Sequence, residues 1–288
     1  MDTSSQGGIA VVTGASSGIG AAFARRLASA ATGKERYRGL PRIDELWLVA
    51  RRGDRLTALA EELRTELGTL GGKGEEKLLI RTVALDLVSD GAITTLASKA
   101  ESTEKPVRIL INNAGYGCYG PFSEVDLRRQ LGEIDLNCRS LTESCGRFSP
   151  LLSSDAVVIN TASLASFAPL GGFAVYAATK AYVLSLSVAL AAEWKSRGIR
   201  VHALCPGPVE SEFSLVASSG ARREVAGGWS ADRTAAAALR SAARGKAIGM
   251  PRLSWRLQRL AATIVGPVLS ARFAQAFMRR PSGGNGEA

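Results

Sequence analysis

The sequence predicts an α/β protein built on one doubly wound parallel sheet with helices on both faces. Apolar runs typical of buried strands alternate with helical patterns along the whole chain, which favours a parallel sheet covered on both sides. No Pro/Ser-rich linker and no internal repeat divides the 288 residues. We therefore expect a single domain over residues 1–280 and a disordered tail over 281–288.

Seven segments are predicted as strands. They are Ile9–Thr13, Leu46–Ala50, Leu78–Leu85, Arg108–Asn112, Ala156–Asn160, Arg200–Cys205 and Lys246–Met250. The polar stretch Ala31–Asp44 contains Gly and Pro and indicates a surface loop, and Gly68–Glu76 indicates a turn.

A glycine-rich turn, T-G-A-S-S-G-I-G, follows the first strand and opens a helix predicted over Ile19–Leu27. Residues without a Cβ permit a tight turn, a close approach of the backbone to a pyrophosphate and close helix–strand packing. The phosphates would then meet the positive end of the helix. The alternative is an ordinary glycine turn. We predict cofactor-binding residues at Gly14, Ser16, Ser17, Gly18, Ile19 and Gly20.

Tyr176 and Lys180 stand four residues apart in a helix predicted over Phe173–Trp194, so they project from one face. A free phenol has a pKa near ~10, and a nearby ammonium favours the phenolate. We therefore expect Lys180 to lower the pKa of Tyr176. Ser163, after a predicted strand, could donate a hydrogen bond to a substrate oxygen. The alternative is a buried Tyr packed on the stem of a Lys.

Taken together, the motifs resemble those of the short-chain dehydrogenase/reductase family. The matching residues are T-G-A-S-S-G-I-G at 13–20, Asp86-Leu87, N-N-A-G at 112–115, Asn137, Ser163, Tyr176, Lys180 and P-G-P-V at 206–209. They follow the family's order from about Ile9 to Ser211, and the resemblance implies a Rossmann-type fold and hydride exchange between a nicotinamide and a carbonyl or alcohol.

The resemblance also implies the roles of single residues. Tyr176 would be the general acid in reduction and the base in oxidation, and Lys180 would bind the nicotinamide ribose. Ser163 would donate to the substrate oxygen, and Asn137 would hold a water of the proton relay. Further cofactor contacts would be Asp86, Leu87, Asn113, Ala114, Gly115, Pro206, Gly207, Val209 and Ser211. Many family members carry Thr in place of Ser211.

The end of the second predicted strand indicates NADP(H) as the preferred cofactor. A site for NAD(H) places an Asp or Glu near this strand end, where the chain has Ala50. Arg51 and Arg52 follow, and a guanidinium is well shaped for a 2′-phosphate. The alternative is that both arginines are solvated or paired with Asp54. Ser17 departs from the basic residue that many NADP-using relatives carry there.

Composition bounds the function further. Four cysteines lack C-x-x-C pairs or metal-ligand spacing, and the one histidine, His202, lies within a predicted strand, so we predict no metal site. The first eight residues carry no secretory signal pattern. These features predict a reducing, cytoplasmic setting. No recognition motif accompanies the net charge of +10, so we expect no nucleic-acid partner.

The excess charge lies near the C-terminus. Residues 222–280 hold twelve Lys/Arg and two acids, and apolar residues from Trp255 to Val265 recur at helical spacing. Gly266-Pro267 breaks this pattern before a second apolar stripe. Three interpretations stay open: peripheral contact of 252–280 with an anionic membrane, a mouth for an acidic substrate such as a coenzyme A thioester or an acidic carrier protein, or helices packed over the active site with a solvated Arg face.

The sequence thus predicts an NADP(H)-dependent oxidoreductase acting on an apolar small molecule. Aromatic and aliphatic residues expected to line the substrate pocket are Tyr116, Tyr119, Phe213, Leu215, Val216, Trp229 and Trp255. One alternative is an NAD-dependent alcohol or hydroxysteroid dehydrogenase, and another is a non-catalytic NADPH-binding sensor. The resemblance also implies a homodimer or homotetramer formed through the helices at 123–150 and 173–197.

Overall fold

The structure is a computed structural model that describes residues 7–68, 78–221 and 228–277. Gly68 ends a helix, and the rest of the turn predicted over 68–76 lies outside the described residues. The tail predicted over 281–288 lies outside them as well.

Strands and helices alternate along the chain. The strands are β1 (Ile9–Thr13), β2 (Glu45–Ala50), β3 (Leu79–Ala84), β4 (Val107–Asn112), β5 (Leu152–Thr161), β6 (Arg200–Leu204), β7 (Val209–Glu210), β8 (Trp229–Ser230) and β9 (Ile248–Gly249). The helices are α1 (Gly18–Ala31), α2 (Gly53–Gly68), α3 (Ala92–Glu101), α4 (Leu127–Ile134), α5 (Ser140–Phe148), α6 (Ala174–Glu193), α7 (Phe213–Ala217), α8 (Ala231–Ala243), α9 (Leu253–Val265) and α10 (Pro267–Phe277). A π-helical turn, Asp135–Arg139, joins α4 to α5.

The predicted Rossmann-type sheet is confirmed. Seven strands lie in the order β3-β2-β1-β4-β5-β6-β9, and every pair is parallel. The order reverses at β1, which pairs with β2 on one side and β4 on the other. A crevice therefore opens at the carboxyl ends of β1 and β4, where open α/β sheets bind ligands. A separate pair, β7 and β8, was not predicted.

The core lies on both faces of the sheet because side chains alternate along each strand. In β2, Leu46 and Leu48 pack with Phe23 of α1, whereas Trp47 and Val49 pack on the opposite face. All six residues of β2 are buried. This double burial explains why the strand reads as one continuous apolar run rather than as an alternating pattern.

Most predicted strand bounds hold to within a residue or two, and the exceptions have local causes. The predicted Ala156–Asn160 extends back to Leu152, because Leu152 pairs with Val107 after a register shift in β4. The predicted Lys246–Met250 shortens to Ile248–Gly249. Ala31 ends α1, and the rest of the predicted loop, 32–44, forms no helix or strand, although Tyr37 and Ile43 are buried in the core beside α1.

The two C-terminal stripes form α9 and α10, and the bend between them is 118°. Gly266, with φ of 81°, ends α9, and Pro267 begins α10. Trp255 is buried, but Leu257, Leu260 and most of the other apolar residues of this pair are exposed. Ala261 and Val265 of α9 and Phe273 of α10 line the main cavity, as expected of helices packed over the active site, whereas the outer face of α9 is exposed.

Replacing Phe23 by Ala should destabilise the fold by roughly 3–5 kcal/mol, because the ring is fully buried and its loss leaves a cavity. Urea unfolding would measure the change. Arg25→Ala is the control on the same helix, since it removes only an exposed ion pair with Glu62, worth under about 1 kcal/mol. Equal losses for the two variants would contradict this packing of α1.

Candidate active site

One cavity of about 1530 Å³ follows the crevice at the ends of β1 and β4 and continues beneath α9 and α10. Most of the sequence-predicted site residues line it. They are Gly14, Ser16, Ser17, Gly18, Ile19, Arg51, Arg52, Asp86, Leu87, Asn113, Ala114, Gly115, Ser163, Tyr176, Lys180, Pro206, Gly207, Val209 and Ser211. Gly20 and Asn137 lie behind this wall and support it.

The glycine turn presses directly on the end of β4. Gly14 has φ of 67°, and a Cβ there would lie 2.9 Å from the Cα of Ala114. At Gly20 a Cβ would lie 2.1 Å from the Gly14 carbonyl oxygen, so no side chain fits. The turn thus leaves a cradle of backbone before the first turn of α1, where N–H groups remain unpaired within a helix. Such a cradle fits the pyrophosphate of a dinucleotide.

Thr13, which is not among the predicted cofactor-binding residues, holds this arrangement together. Its hydroxyl accepts hydrogen bonds from the backbone amides of Asn113 (3.0 Å) and Ala114 (3.1 Å), and it donates to the Ile111 carbonyl. The Asn113 amide group in turn donates to the Thr13 carbonyl. The signal was present, because Thr13 is the first letter of the glycine motif.

Ser163, Tyr176 and Lys180 meet at the inner end of the cavity. Ser163 hydrogen-bonds to Tyr176, and the Ser163 hydroxyl also accepts the Ala165 amide at 3.1 Å. The Lys180 ammonium donates to the Thr161 carbonyl at 2.7 Å and lies 5.7 Å from the centre of the Tyr176 ring. All three side chains are buried.

Burial has opposite effects on the pKa values of Tyr176 and Lys180. Burial raises the pKa of the phenol above its ordinary value, and the hydrogen bond with Ser163 lowers it only in part. Burial also lowers the pKa of Lys180 to about 8. Desolvation penalises the charged forms of both groups, so the lowering of the Tyr176 pKa by Lys180 together with an oxidised nicotinamide ring stays a prediction.

Asn137 lies in the π-helical turn at 135–139, a type of distortion that often occurs at functional sites. Its amide group donates to the Tyr116 carbonyl (2.9 Å) and to the Thr179 hydroxyl (3.1 Å). Its side-chain oxygen accepts the Tyr116 amide. Asn137 thereby joins the loop after β4 to helix α6, which carries Tyr176.

Two arginines at the end of β2 form the opposite wall. Arg52 donates to the hydroxyls of Ser16 and Ser17, each at 2.9 Å, and to the Glu212 carboxylate at 2.8 Å. Arg51 is exposed and lines the cavity, and it has no ion pair within the described ranges. Neither arginine forms an ion pair with Asp54 there, contrary to the pairing that the sequence left open. The uncharged Ser17 side chain therefore lies beside the positive charge of Arg52.

The far end of the cavity is mainly apolar and aromatic. Phe173 stacks on Tyr176 with ring centres 4.2 Å apart, and Phe213 lies 5.2 Å from Tyr176. The remaining apolar and aromatic lining there includes Tyr116, Tyr119, Val216, Val265, Leu269, Phe273, Ala276 and Phe277. Leu215, Trp229 and Trp255 do not line it. The two tryptophans pack edge to face instead, and Trp255 covers Gly207.

Glu133 of α4, which no sequence pattern indicated, is 1% exposed. Neither carboxylate oxygen has a partner at good hydrogen-bond geometry. Burial raises the pKa of Glu133 to about 7, although Cys118 and Arg129 lie close enough to lower it in part. A lone Glu among polar helix residues gives no sequence signal of burial.

The remaining ionisable residues give no metal site within the described segments, where no group of three His, Cys, Asp or Glu side chains could hold an ion. His202 is fully buried and contacts the Lys246 carbonyl through Nδ1. Burial lowers its pKa to about 4. Its ring packs against Gly249, so the single histidine has a packing role.

Comparisons with known proteins agree with this geometry. Residues 8–220 match the family model described as short chain dehydrogenase. Over 216 residues the chain is 32% identical to sulfoacetaldehyde reductase 2 of Chromohalobacter salexigens, which covers 74% of this chain and 77% of that protein.

Two solved structures are similar over most of their length. One is a short-chain dehydrogenase from Sphingobium yanoikuyae in complex with NADPH, with a TM-score of 0.74, 28% identity, and coverage of 96% of this chain and 99% of the other. The second is the bulky-bulky ketone specific alcohol dehydrogenase from Comamonas testosteroni, with a TM-score of 0.68, 27% identity and coverage of 90% and 93%.

Glu133→Gln should make stability less dependent on pH. Because the folded pKa of about 7 exceeds the ordinary 4.5, the folded state keeps a proton that the unfolded chain releases. This contribution is complete below pH 4.5 and is lost as the pH rises through 7. At about pH 8 the variant should be more stable than wild type, by up to about 3 kcal/mol.

Urea unfolding at about pH 5 and about pH 8 would measure this difference. Glu124→Gln, at an exposed position on the preceding loop, controls for the loss of one negative charge. A Glu133→Gln variant that is destabilised by the same amount at both pH values would contradict burial of an unpartnered carboxyl.

Proposed function

The chain belongs to the short-chain dehydrogenase family and is an oxidoreductase, and from this premise we propose that it reduces a carbonyl group of an apolar small molecule with NADPH. The observation that carries the proposal is the convergence of Ser163, Tyr176 and Lys180 in the same cavity as the glycine turn. The direction of reduction follows from the choice of NADPH as the cofactor.

Each of the three side chains has a task in this proposal. A bound dinucleotide would supply the hydride to the carbonyl carbon and, once oxidised, a positive charge near the phenol. Tyr176 would give its hydroxyl proton to the carbonyl oxygen as the negative charge develops there. The Ser163 hydroxyl accepts the Ala165 amide, and its single proton, which serves Tyr176 in the structure, would be donated to the same substrate oxygen once a substrate is bound.

Lys180 would act on the phenol together with the cofactor rather than alone. One of its three N–H groups is used on Thr161, which leaves two donors for ribose hydroxyls. Burial opposes both the phenolate and the ammonium, so an added positive charge is what would bring the pKa of Tyr176 down. Asn137 would position the Tyr116 loop and hold the water of a proton relay.

NADP(H) is favoured over NAD(H) by the wall at the end of β2. No carboxylate stands at Ala50, and two guanidinium groups border the region where a 2′-phosphate would lie. Arg52 donates a hydrogen bond to the Ser17 hydroxyl, so its guanidinium places a positive charge where many NADP-using relatives carry a basic residue. The similar enzyme from Sphingobium yanoikuyae was solved with NADPH. The competing reading is an NAD-dependent alcohol or hydroxysteroid dehydrogenase.

An apolar substrate is favoured by the aromatic end of the cavity. Phe173 and Phe213 border Tyr176, and the lining continues to α10 without an acidic side chain beyond Glu212. Arg259 and Arg272 also line this mouth, which keeps a substrate with an acidic head as the second candidate. Arg259 is engaged with the Phe167 ring at 4.6 Å, and this contact favours the apolar candidate.

We also propose a homo-oligomer in a reducing, cytoplasmic setting. Apolar and aromatic side chains are exposed along α4 and α6, the helices that the family resemblance implies for assembly. They are Leu127, Leu131, Ile134, Tyr182 and Val188. A second copy covering this face would remove them from water. The four cysteines are free thiols, in keeping with such a setting.

Tyr176→Phe should lower turnover of NADPH with a panel of ketones by about 10²–10⁴-fold, because the proton donor is removed while the ring packing is retained. NADPH oxidation followed at 340 nm would measure the effect, and cofactor fluorescence would show that NADPH still binds. A wild-type protein that binds NADPH and turns over no ketone would favour the non-catalytic sensor. Unchanged turnover in the variant would refute the role of Tyr176.

Arg51→Asp should raise the KM for NADPH roughly 10–100-fold and improve the use of NADH, because a carboxylate repels a 2′-phosphate and accepts a ribose hydroxyl. Steady-state kinetics with both cofactors would give the ratio. Lys99→Asp on α3 changes the charge equally at an exposed position outside the cavity and serves as the control. If NADPH use does not weaken, Arg51 does not contact the phosphate.

A further inference from the structure

The outer face of α9 carries a row of apolar side chains that nothing in the described chain covers. We call it the outer stripe and define it as Leu253, Leu257, Leu260 and Ile264. These four residues are 57–76% exposed. Soluble proteins show single exposed apolar residues often, but a continuous row marks an interaction surface. Spacings of three and four residues place the row along one side of the helix.

The outer stripe does not serve the cavity, because none of its residues line it. The opposite side of α9 does so through Gln258, Ala261, Ala262 and Val265. One face of α9 therefore lines the cavity, and the outer stripe on the other face is free to contact a partner.

The exposed position of α9 is fixed by contacts at its start. Trp255 is 2% exposed and fills the space over Gly207, where a Cβ would lie 2.4 Å from its indole nitrogen. The Arg256 guanidinium donates to the Met250 carbonyl at 3.0 Å, and Arg259 lies over the Phe167 ring. These contacts anchor the helix to the loops of the active site with its outer stripe facing away.

The positive charge of α9 and α10 indicates what kind of partner the outer stripe contacts. Between Arg233 and Phe277 the sequence has no Asp or Glu, while Arg252, Arg256, Arg259 and Arg272 belong to α9, its N-cap and α10. A second copy docked through this face would bring two such arginine sets together without acids to oppose them. An anionic lipid surface instead offers negative charge beside an apolar interior, which matches a basic amphipathic helix.

We infer that α9 and α10 form a membrane-docking surface that lies in the interface of an anionic lipid bilayer. The pair is apolar enough for a span, but helices of 13 and 11 residues with a 118° bend would rest in one leaflet rather than cross it. The only single helix of the described chain that is long and apolar enough to span, Ala174–Arg197, carries Tyr176 and Lys180 against the sheet.

The cavity mouth opens at the same helix pair. Leu269, Phe273 and Phe277 line the cavity and are each more than half exposed. Docking would place this mouth against the acyl region, so an apolar carbonyl compound could pass from lipid to Tyr176 without crossing water. This last step rests on the proposed function, whereas the docking itself does not.

The test is flotation of the full-length protein with vesicles of phosphatidylcholine alone and of phosphatidylcholine with about one-third phosphatidylglycerol. The protein should float with the anionic vesicles and less with the neutral ones, and added salt should weaken the difference. Ile264→Glu should reduce partition at least about tenfold more than Thr263→Glu, because it removes an exposed apolar group that docking would bury as well as adding a charge.

Thr263→Glu is the matched control, since it adds the same charge at the neighbouring exposed residue outside the outer stripe. Turnover of a water-soluble ketone should be equal in wild type and Ile264→Glu, because Ile264 does not line the cavity. Flotation without turnover would refute the proposed reaction and leave the docking surface standing.

Three results would overturn the inference. They are no flotation with either vesicle, equal loss of partition in the two variants, or equal binding to neutral and anionic vesicles. If wild type does not float and Ile264→Glu alone dissociates an oligomer in gel filtration, the outer stripe is an interface between copies of the chain.

Discussion

The close approach of two strand ends is the constraint on which the rest of the site depends. Gly14 leaves no room for a side chain against Ala114, and Gly20 leaves none against Gly14. Thr13 then ties the two ends together by accepting two backbone amides. Because these groups are buried and satisfied, the geometry is held by packing and hydrogen bonds together. Any side chain here would separate the strands and move the phosphate cradle away from Tyr176.

Ser163, Tyr176 and Lys180 lie in an interior that is unfavourable to charge. Hydrogen bonds from neighbouring polar side chains hold the segments that carry them in place. The Ser166 hydroxyl caps the turn after Ser163 and donates to the Lys180 carbonyl at 2.7 Å, which joins two of the three reacting residues through one side chain. Beneath them, Asn112 donates to Asn160, and Asn160 donates to Ser187. A fully satisfied polar network of this kind resists rearrangement in a low-dielectric core.

The fold and most of the cavity lining could be predicted from sequence because they rest on local patterns. Continuous apolar strands, the glycine turn and the Tyr176–Lys180 spacing each report structure within a few residues. What could not be predicted depends on tertiary burial. The direction of the Tyr176 pKa, the unpartnered carboxyl of Glu133 and the structural use of Trp255 follow from neighbours distant in the chain. The exposure of the outer stripe was hidden for the same reason, since periodicity shows a face but not what covers it.

The contact between Arg52 and Glu212 joins residues 160 positions apart across the mouth of the crevice. Arg55 forms an ion pair with the same carboxylate, so two ion pairs hold the segment after β7 against the segment that follows β2. The Arg52 guanidinium already binds a carboxylate and two hydroxyls, so an arriving phosphate would compete with them for its N–H groups. Binding of a phosphorylated nucleotide would then weaken the contact of Arg52 with Glu212 and loosen that segment. Such coupling would make the enzyme bind its cofactor and its substrate in a fixed order.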